Sequence, residues 1–227
     1  MSRYQDFAAV YDRLNVEVDY PARAAYFHQV ISCHGAPGNI LLDLGCGTGS
    51  LAEELAKLGY SLIGVDNSPE MLMAAYNKRM ESGADITYLC QEMTDLDLFG
   101  AVDVVVSALD SLNHLTRYED FCAAIASAAF FLHPDGLMVF DLNTCYKHQV
   151  SLANNTFVYD LDDIYCVWQN TTDEEGLTQM ELDIFLEGED GLYERRDASF
   201  AERAYTHEQV VEALEKAGMK LAAVYHE

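Results

Sequence analysis

Basic residues are scarce in this chain. Thirteen lysines and arginines stand against 38 aspartates and glutamates in 227 residues, a formal net charge of −25. So acidic a surface repels phosphate backbones and anionic lipid headgroups, so neither nucleic acid nor a membrane is expected as a partner. A small anion in a local pocket stays compatible with it. No stretch reaches the roughly 20 apolar residues of a spanning helix. The N-terminal MSRYQDFAAVYDRL carries acids early and lacks an apolar signal core, so a soluble, cytoplasmic protein is expected. Six cysteines are scattered without a C-x-x-C pair and seven histidines are equally dispersed. The thiols read as reduced, and no metal site is expected where ligands do not cluster. Internal repeats and low-complexity segments are also missing.

Half of the residues are hydrophobic and 11% are aromatic. That is enough for one large domain, or a domain with a sizeable insertion. Near the N-terminus, Phe7, Val10, Tyr11 and Leu14 share one helical face. Pro21 can open a second helix running to Ile31, and HGAPGN at 34–39 breaks it. From there the texture is strand, helix, strand. Apolar runs at 40–44, 61–66, 85–90, 102–109 and 137–143 alternate with helical segments. One of these has Ser68 as N-cap and Pro69 at its first position, and another ends at a Pro-Asp-Gly turn. Continuously apolar strands between helices indicate an α/β fold, a doubly wound, mostly parallel sheet covered on both faces.

Past residue 144 the period changes to two, and no crossover helix fits until Thr206 caps a last helix. We expect an antiparallel β cap at 144–205, inserted into a Rossmann-like domain built from 1–143 and 206–227. The helices within 1–33 would act as a lid. KLAAVYHE is expected as a sixth strand.

The most informative segment is Asp43-Leu44-Gly45-Cys46-Gly47-Thr48-Gly49, a glycine loop between strand and helix. Glycines there permit unusual backbone angles and close approach of a ligand. A dinucleotide fingerprint wants glycines at its first, third and sixth positions; here the sixth is Ser50. The acid two residues before the first glycine suits an amine-bearing ligand better than a pyrophosphate. Asp66 ends the second strand, where a carboxylate can accept both ribose hydroxyls; that fits NAD and S-adenosylmethionine equally.

At this point the chain resembles the class I S-adenosylmethionine-dependent methyltransferases, in LDLGCGTG, LIGVDNSPEML, CQEM, DVVVSALDSLNHL and HPDGLMVFDLNT, in order over residues 40–144. YQDFAAVYDRL and ERAYTHEQVVEALEKAGM extend the likeness to nearly the whole chain, closest to small bacterial members with an antiparallel cap after the fifth strand. The resemblance implies methylation of a small-molecule acceptor on nitrogen or oxygen, with S-adenosylhomocysteine as product. It implies that Asp43 and the backbone of Gly45, Cys46, Gly47 and Gly49 hold the methionine end, and that Asp66 binds the ribose. Asn67 and Met71 would wall the adenine, while Glu92 and the Met93 backbone would meet its edge. Ser107 to Asp110 would line the methionine side, and Tyr4 and Tyr11 would close over the cofactor. Such enzymes usually have a seventh, antiparallel strand between the fifth and sixth; here none is expected.

Asp110, Asn113 and His114 follow the fourth strand at the edge where open sheets bind ligands, and are the candidate catalytic groups. Each also has a plainer role, Asn113 as a backbone cap and His114 as a surface residue. Asp141 and Asn143 read as turn caps first. Arg203 is expected to pair with an acid or an acceptor carboxylate, and Tyr205 could point into the site. Trp168 reads as sheet core. Two alternatives stay open: a protein that binds the cofactor without turnover, and an NAD-dependent oxidoreductase.

Overall fold

The structure is a computed structural model that describes residues 5–226. Five strands form a parallel sheet: β1 (Ile40–Leu44), β2 (Ser61–Asp66), β3 (Ile86–Cys90), β4 (Val102–Ser107) and β5 (Leu132–Phe140), in the order β3-β2-β1-β4-β5. The chain winds outward from β1 to β3, then returns to add β4 on the other side. That reversal opens a crevice above the carboxyl ends of β1 and β4.

Alternate residues of the strands feed two cores. Leu41, Val104 and Val106 pack with Phe27 and Ile31 of α2 (Tyr20–His34) and Leu55 of α3 (Ser50–Lys57). Leu42, Leu44 and Val105 pack with Phe121 and Ile125 of α5 (Tyr118–Phe131) and Leu214 of α6 (His207–Lys216). Local chemistry sets the helix ends. The Ser68 hydroxyl accepts from the Met71 N–H at the start of α4 (Pro69–Ser82), and Gly83 closes it in the left-handed region. Thr206 and Gln209 make a reciprocal capping box on α6.

The expected antiparallel insertion is a separate sheet, a meander of β6 (Thr156–Leu161), β7 (Ile164–Thr172), β8 (Leu177–Glu187) and β9 (Tyr193–Arg203). Its inner face, with Ile164, Cys166, Met180 and Ile184, packs on Phe7 and Val10 of α1 (Gln5–Leu14). Trp168 stacks on Tyr159 with ring centroids 6.3 Å apart, as sheet packing. A π-helical turn, Lys147–Leu152, leads from β5 into this sheet.

Two expectations need correction. The fifth strand begins at Leu132, because the Pro-Asp-Gly turn is absorbed as a bulge: Val102 pairs with Leu132, but Val104 pairs with Leu137. It ends at Phe140, which leaves Asp141–Asn143 above the sheet. The expected sixth strand does not form. Residues 219–226 are irregular, and among the described residues no strand lies beyond β5 to pair with them. A strand without a neighbour leaves its backbone hydrogen bonds unmade, and this segment rests Tyr225 against His34 of α2 instead, Oη to Nε2 2.9 Å.

Candidate active site

The loop after β1 is built by its glycines. Gly45, Gly47 and Gly49 have φ of +78°, +52° and +75°, the left-handed region. Gly45 has a second reason to be glycine: a Cβ there would lie 2.6 Å from Met93 Cε and 2.7 Å from Ser111 Cβ. The N–H groups of Gly45 and Cys46 both donate to the Val65 carbonyl, at 2.8 and 2.9 Å, folding the loop over β2. The buried Cys46 side chain packs toward Gly64, and burial pushes its thiol well above the usual range, so it offers backbone and not a nucleophile.

Two carboxylates face this loop. Asp43 is 2% exposed and its Oδ2 has no hydrogen-bond partner. Burial, with Asp66 nearby, pushes its pKa up to about 7. Asp66 accepts the Gly47 N–H through Oδ2 and the Ser68 N–H through Oδ1, both at 2.9 Å. Each oxygen keeps a second lone pair. Asn67 donates to Glu92 at 3.2 Å, tying the ends of β2 and β3 together. A narrow recess of about 30 Å³ opens here, walled by Tyr11, Tyr20, Asp43, the loop, Ala108, Leu109 and Ser111. An orphaned buried acid at the end of a glycine-built recess fits a ligand with a cationic amine.

The segment after β4 holds the three candidate catalytic residues. Leu109 and Asp110 are non-glycine residues with φ of +54° and +55°. Asp141 holds them there, accepting the N–H of each at 3.1 and 2.7 Å, while Arg23 of α2 binds the same carboxylate at 3.0 Å. Asp110 is half-buried and takes a hydrogen bond from the Asn143 carboxamide. His114, in a 3-10 turn (Ser111–His114), lies 5.4 Å from the Phe200 ring, centroid to centroid. Its side chain is 40% exposed, yet crowding by protein lowers its pKa against the opposing pull of Asp110 and Asp66.

Other expected site residues are placed differently. Asn113 is fully buried. Its carboxamide donates to the carbonyls of Asn143 and Arg203 and accepts the Asn143 N–H, so it clasps β5 to β9 and does not reach an acceptor. The Ser107 hydroxyl donates to the Leu44 carbonyl at 2.8 Å, joining β4 to β1. Met71 packs with α1 and the cap sheet. Met93 lies over Gly45. Tyr205 packs 4.3 Å from Phe121 and donates to the Leu115 carbonyl, so it faces α5 and not the site. Arg203 pairs with Glu175 at 3.4 Å. Tyr4 lies outside the described residues. Sequence reading missed Glu202 and His148, both buried beside this turn. The signal for Glu202 was an acid two residues from Phe200, in the same phase of an alternating strand.

Known proteins agree with this geometry. A family profile described as "Methyltransferase domain" matches residues 41–136. A protein of Geobacillus sp. (strain WCH70) named as a methyltransferase is 32% identical over 97% of this chain and 90% of its own length. YqeM of Bacillus subtilis (strain 168), also named as a methyltransferase, is 31% identical over 97% of this chain and 88% of its own. The crystal structure of an S-adenosylmethionine-dependent methyltransferase from Clostridium acetobutylicum ATCC 824 has a TM-score of 0.84 and 31% identity, covering 95% of this chain and 87% of that one. With this sheet, this loop and these relatives, the chain belongs to the class I S-adenosylmethionine-dependent methyltransferases.

Proposed function

We propose that this methyltransferase acts on an amine nitrogen of a small molecule seated between the turn after β4 and the cap sheet. The observation that carries the reading is the acidic character of that wall. Asp110 follows Leu109, which lines the recess, and its charge acts on Tyr11 of the opposite wall, while Arg23 and Arg203 are held by Asp141 and Glu175. A cationic acceptor suits such a wall, and the −25 net charge draws it in.

The cofactor site follows from the same residues. The free Oδ2 of Asp43 takes the ammonium of the methionine end, with the Gly45–Gly49 backbone around its carboxylate. Asp66 takes the ribose through its remaining lone pairs. Asn67, Glu92 and the Met93 backbone border the adenine, and Tyr11 closes over the top. When bound, S-adenosylmethionine supplies a sulfonium methyl carbon whose displacement leaves a neutral thioether, so no acid is needed at the leaving group.

This chain's residues must position the nucleophile, exclude water and remove one proton. Asp110 binds the acceptor ammonium and orients it. His114, held neutral by its surroundings, takes the proton on a ring nitrogen and frees the lone pair. The cap sheet, docked on α1, acts as the lid that shapes the acceptor pocket.

The test is an S-adenosylhomocysteine release assay with small amines and their hydroxyl counterparts, matched in carbon skeleton. Turnover is expected with amines, and at least about tenfold slower with the matched alcohols. Equal or faster methylation of the alcohols would refute the nitrogen assignment. Cofactor binding with no release across the panel would favour a protein that binds without turnover.

A further inference from the structure

Glu202 lies at the end of β9, 3% exposed, under the turn that carries Asp110 and His114. Its Oε2 accepts from the Asn143 carboxamide at 3.1 Å, and the same nitrogen donates to Asp110. Its Oε1 lies 3.8 Å from Nε2 of His114, and its Oε2 lies 3.6 Å from Nε2 of His148. His148 is fully buried on the π-helical turn. Its Nδ1 pairs with the Thr178 hydroxyl at 2.7 Å, and its Nε2 has no hydrogen-bond partner. A carboxyl group thus sits between two imidazoles, one sealed inside and one 40% exposed.

We propose that Glu202 is a positioning residue for methyl transfer: its carboxyl group selects which ring nitrogen of His114 carries the hydrogen. The proposal rests on the reading of His114 as the group that takes the acceptor's proton. The 3.8 Å gap from Oε1 to Nε2 of His114 is longer than a hydrogen bond and must close by about 1 Å. With that closure Glu202 as a carboxylic acid donates to Nε2, and the ring is left as the Nδ1–H tautomer with no lone pair free at Nδ1. As a carboxylate, it accepts from Nε2–H, and Nδ1 is free to take the proton. The proton moves from the acceptor nitrogen to Nδ1, the imidazolium is stabilised by the Glu202 anion, and the exposed ring returns it to water. A buried acid that holds a histidine tautomer is the logic of the Ser-His-Asp triad, here applied to a nitrogen nucleophile.

The charged and titratable groups facing Glu202 are Asp110 and His114 from the turn after β4, and Lys147 and His148 from the π-helical turn. Beside them Asn143 donates from the end of β5, and Thr178 of β8 lies opposite. Burial and the Asp110 charge push the Glu202 pKa up to about 8, with Asn143 and Lys147 opposing. The tautomer change therefore falls just above neutral pH.

The test is ¹⁵N NMR of the histidine rings of the full chain with S-adenosylhomocysteine bound, from pH 6.5 to 9.5, with His114 assigned by His114→Asn. The wild type is expected to pass from Nδ1–H to Nε2–H at His114 with an inflection near pH 8. Glu202→Gln should abolish that inflection, and Glu202→Asp should restore one. An unchanged His114 tautomer across the range in the wild type overturns the proposal, whether or not any variant folds. An inflection that survives Glu202→Gln overturns it as well. No acceptor is used, so a wrong acceptor assignment fails in the release assay and leaves this result standing.

Discussion

The carboxylate of Asp141 accepts the backbone N–H of Asp110 at 2.7 Å, and so an acid from the end of β5 fixes a left-handed turn at the end of β4. The same carboxylate takes the Leu109 N–H and the Arg23 guanidinium. Two consecutive non-glycine residues at positive φ cost energy, on the order of 1 kcal/mol or more each, and persist only where their surroundings hold them. Here that holding fixes Asp110 between Leu109 and Ser111, two residues that line the recess.

Asp141→Ala removes both backbone acceptors and leaves Arg23 without this partner. Hydrogen bonds to a charged group contribute about 1.5–3 kcal/mol. The melting temperature should fall by roughly 4–10 °C, taking about 2–4 °C per kcal/mol at this size. Asp141→Asn should lose less, since its carbonyl can still accept one N–H. Thermal unfolding of the two variants checks this.

Gly45→Ala and Gly47→Ala separate two reasons for a glycine. Both sit at positive φ, but only the alanine at 45 would meet Met93 and Ser111; nothing lies within 4 Å of the position at 47. Gly47→Ala should cost about 1 kcal/mol of strain. Gly45→Ala should cost more and weaken S-adenosylhomocysteine binding at least about tenfold by moving Met93. Calorimetric titration of both variants gives the comparison.

Asp43 makes cofactor binding pH-dependent. Its folded pKa is raised to about 7 from 3.8, so the free protein holds a proton there that the unfolded chain releases. Stability from this group is complete below about pH 4 and is lost as pH rises through 7. Glu202 acts in the same direction up to about 8, so the melting temperature of the ligand-free protein should decline between pH 5 and 8.5. A bound ammonium favours the ionised acid, so affinity for S-adenosylhomocysteine should rise between pH 6 and 7.5 with release of a proton. Asp43→Asn should flatten that dependence and weaken binding roughly 10- to 100-fold.

Much of the parallel sheet was legible because buried strands are continuously apolar and their helices carry explicit signals at Ser68, Gly83 and Thr206. The cap was legible because its period is two. Strand ends were less so: the bulge at 132–137 and the unpaired segment 219–226 depend on which neighbour is available, and a local pattern does not contain that. In the site, Asp43, Asp66 and the glycine loop stand next to one another in sequence or at strand ends. Glu202 reaches His114 from 88 residues away and His148 reaches Glu202 from 54 residues away, through the register of β8 with β9 and a π-helical turn. Asn113 looked like an acceptor-facing amide because it stands beside two other candidates, Asp110 and His114; only the backbone groups of Asn143 and Arg203 reveal it as a clasp.

The account places the acceptor against Asp110, and one variant tests that most directly. Asp110→Asn should be compared with wild type on the first amine that turns over, with S-adenosylhomocysteine affinity measured in parallel. The account predicts affinity for the cofactor product within about twofold and a fall in kcat/KM of roughly 10- to 100-fold, the loss of a charge-assisted contact. Unchanged kcat/KM in Asp110→Asn would contradict it.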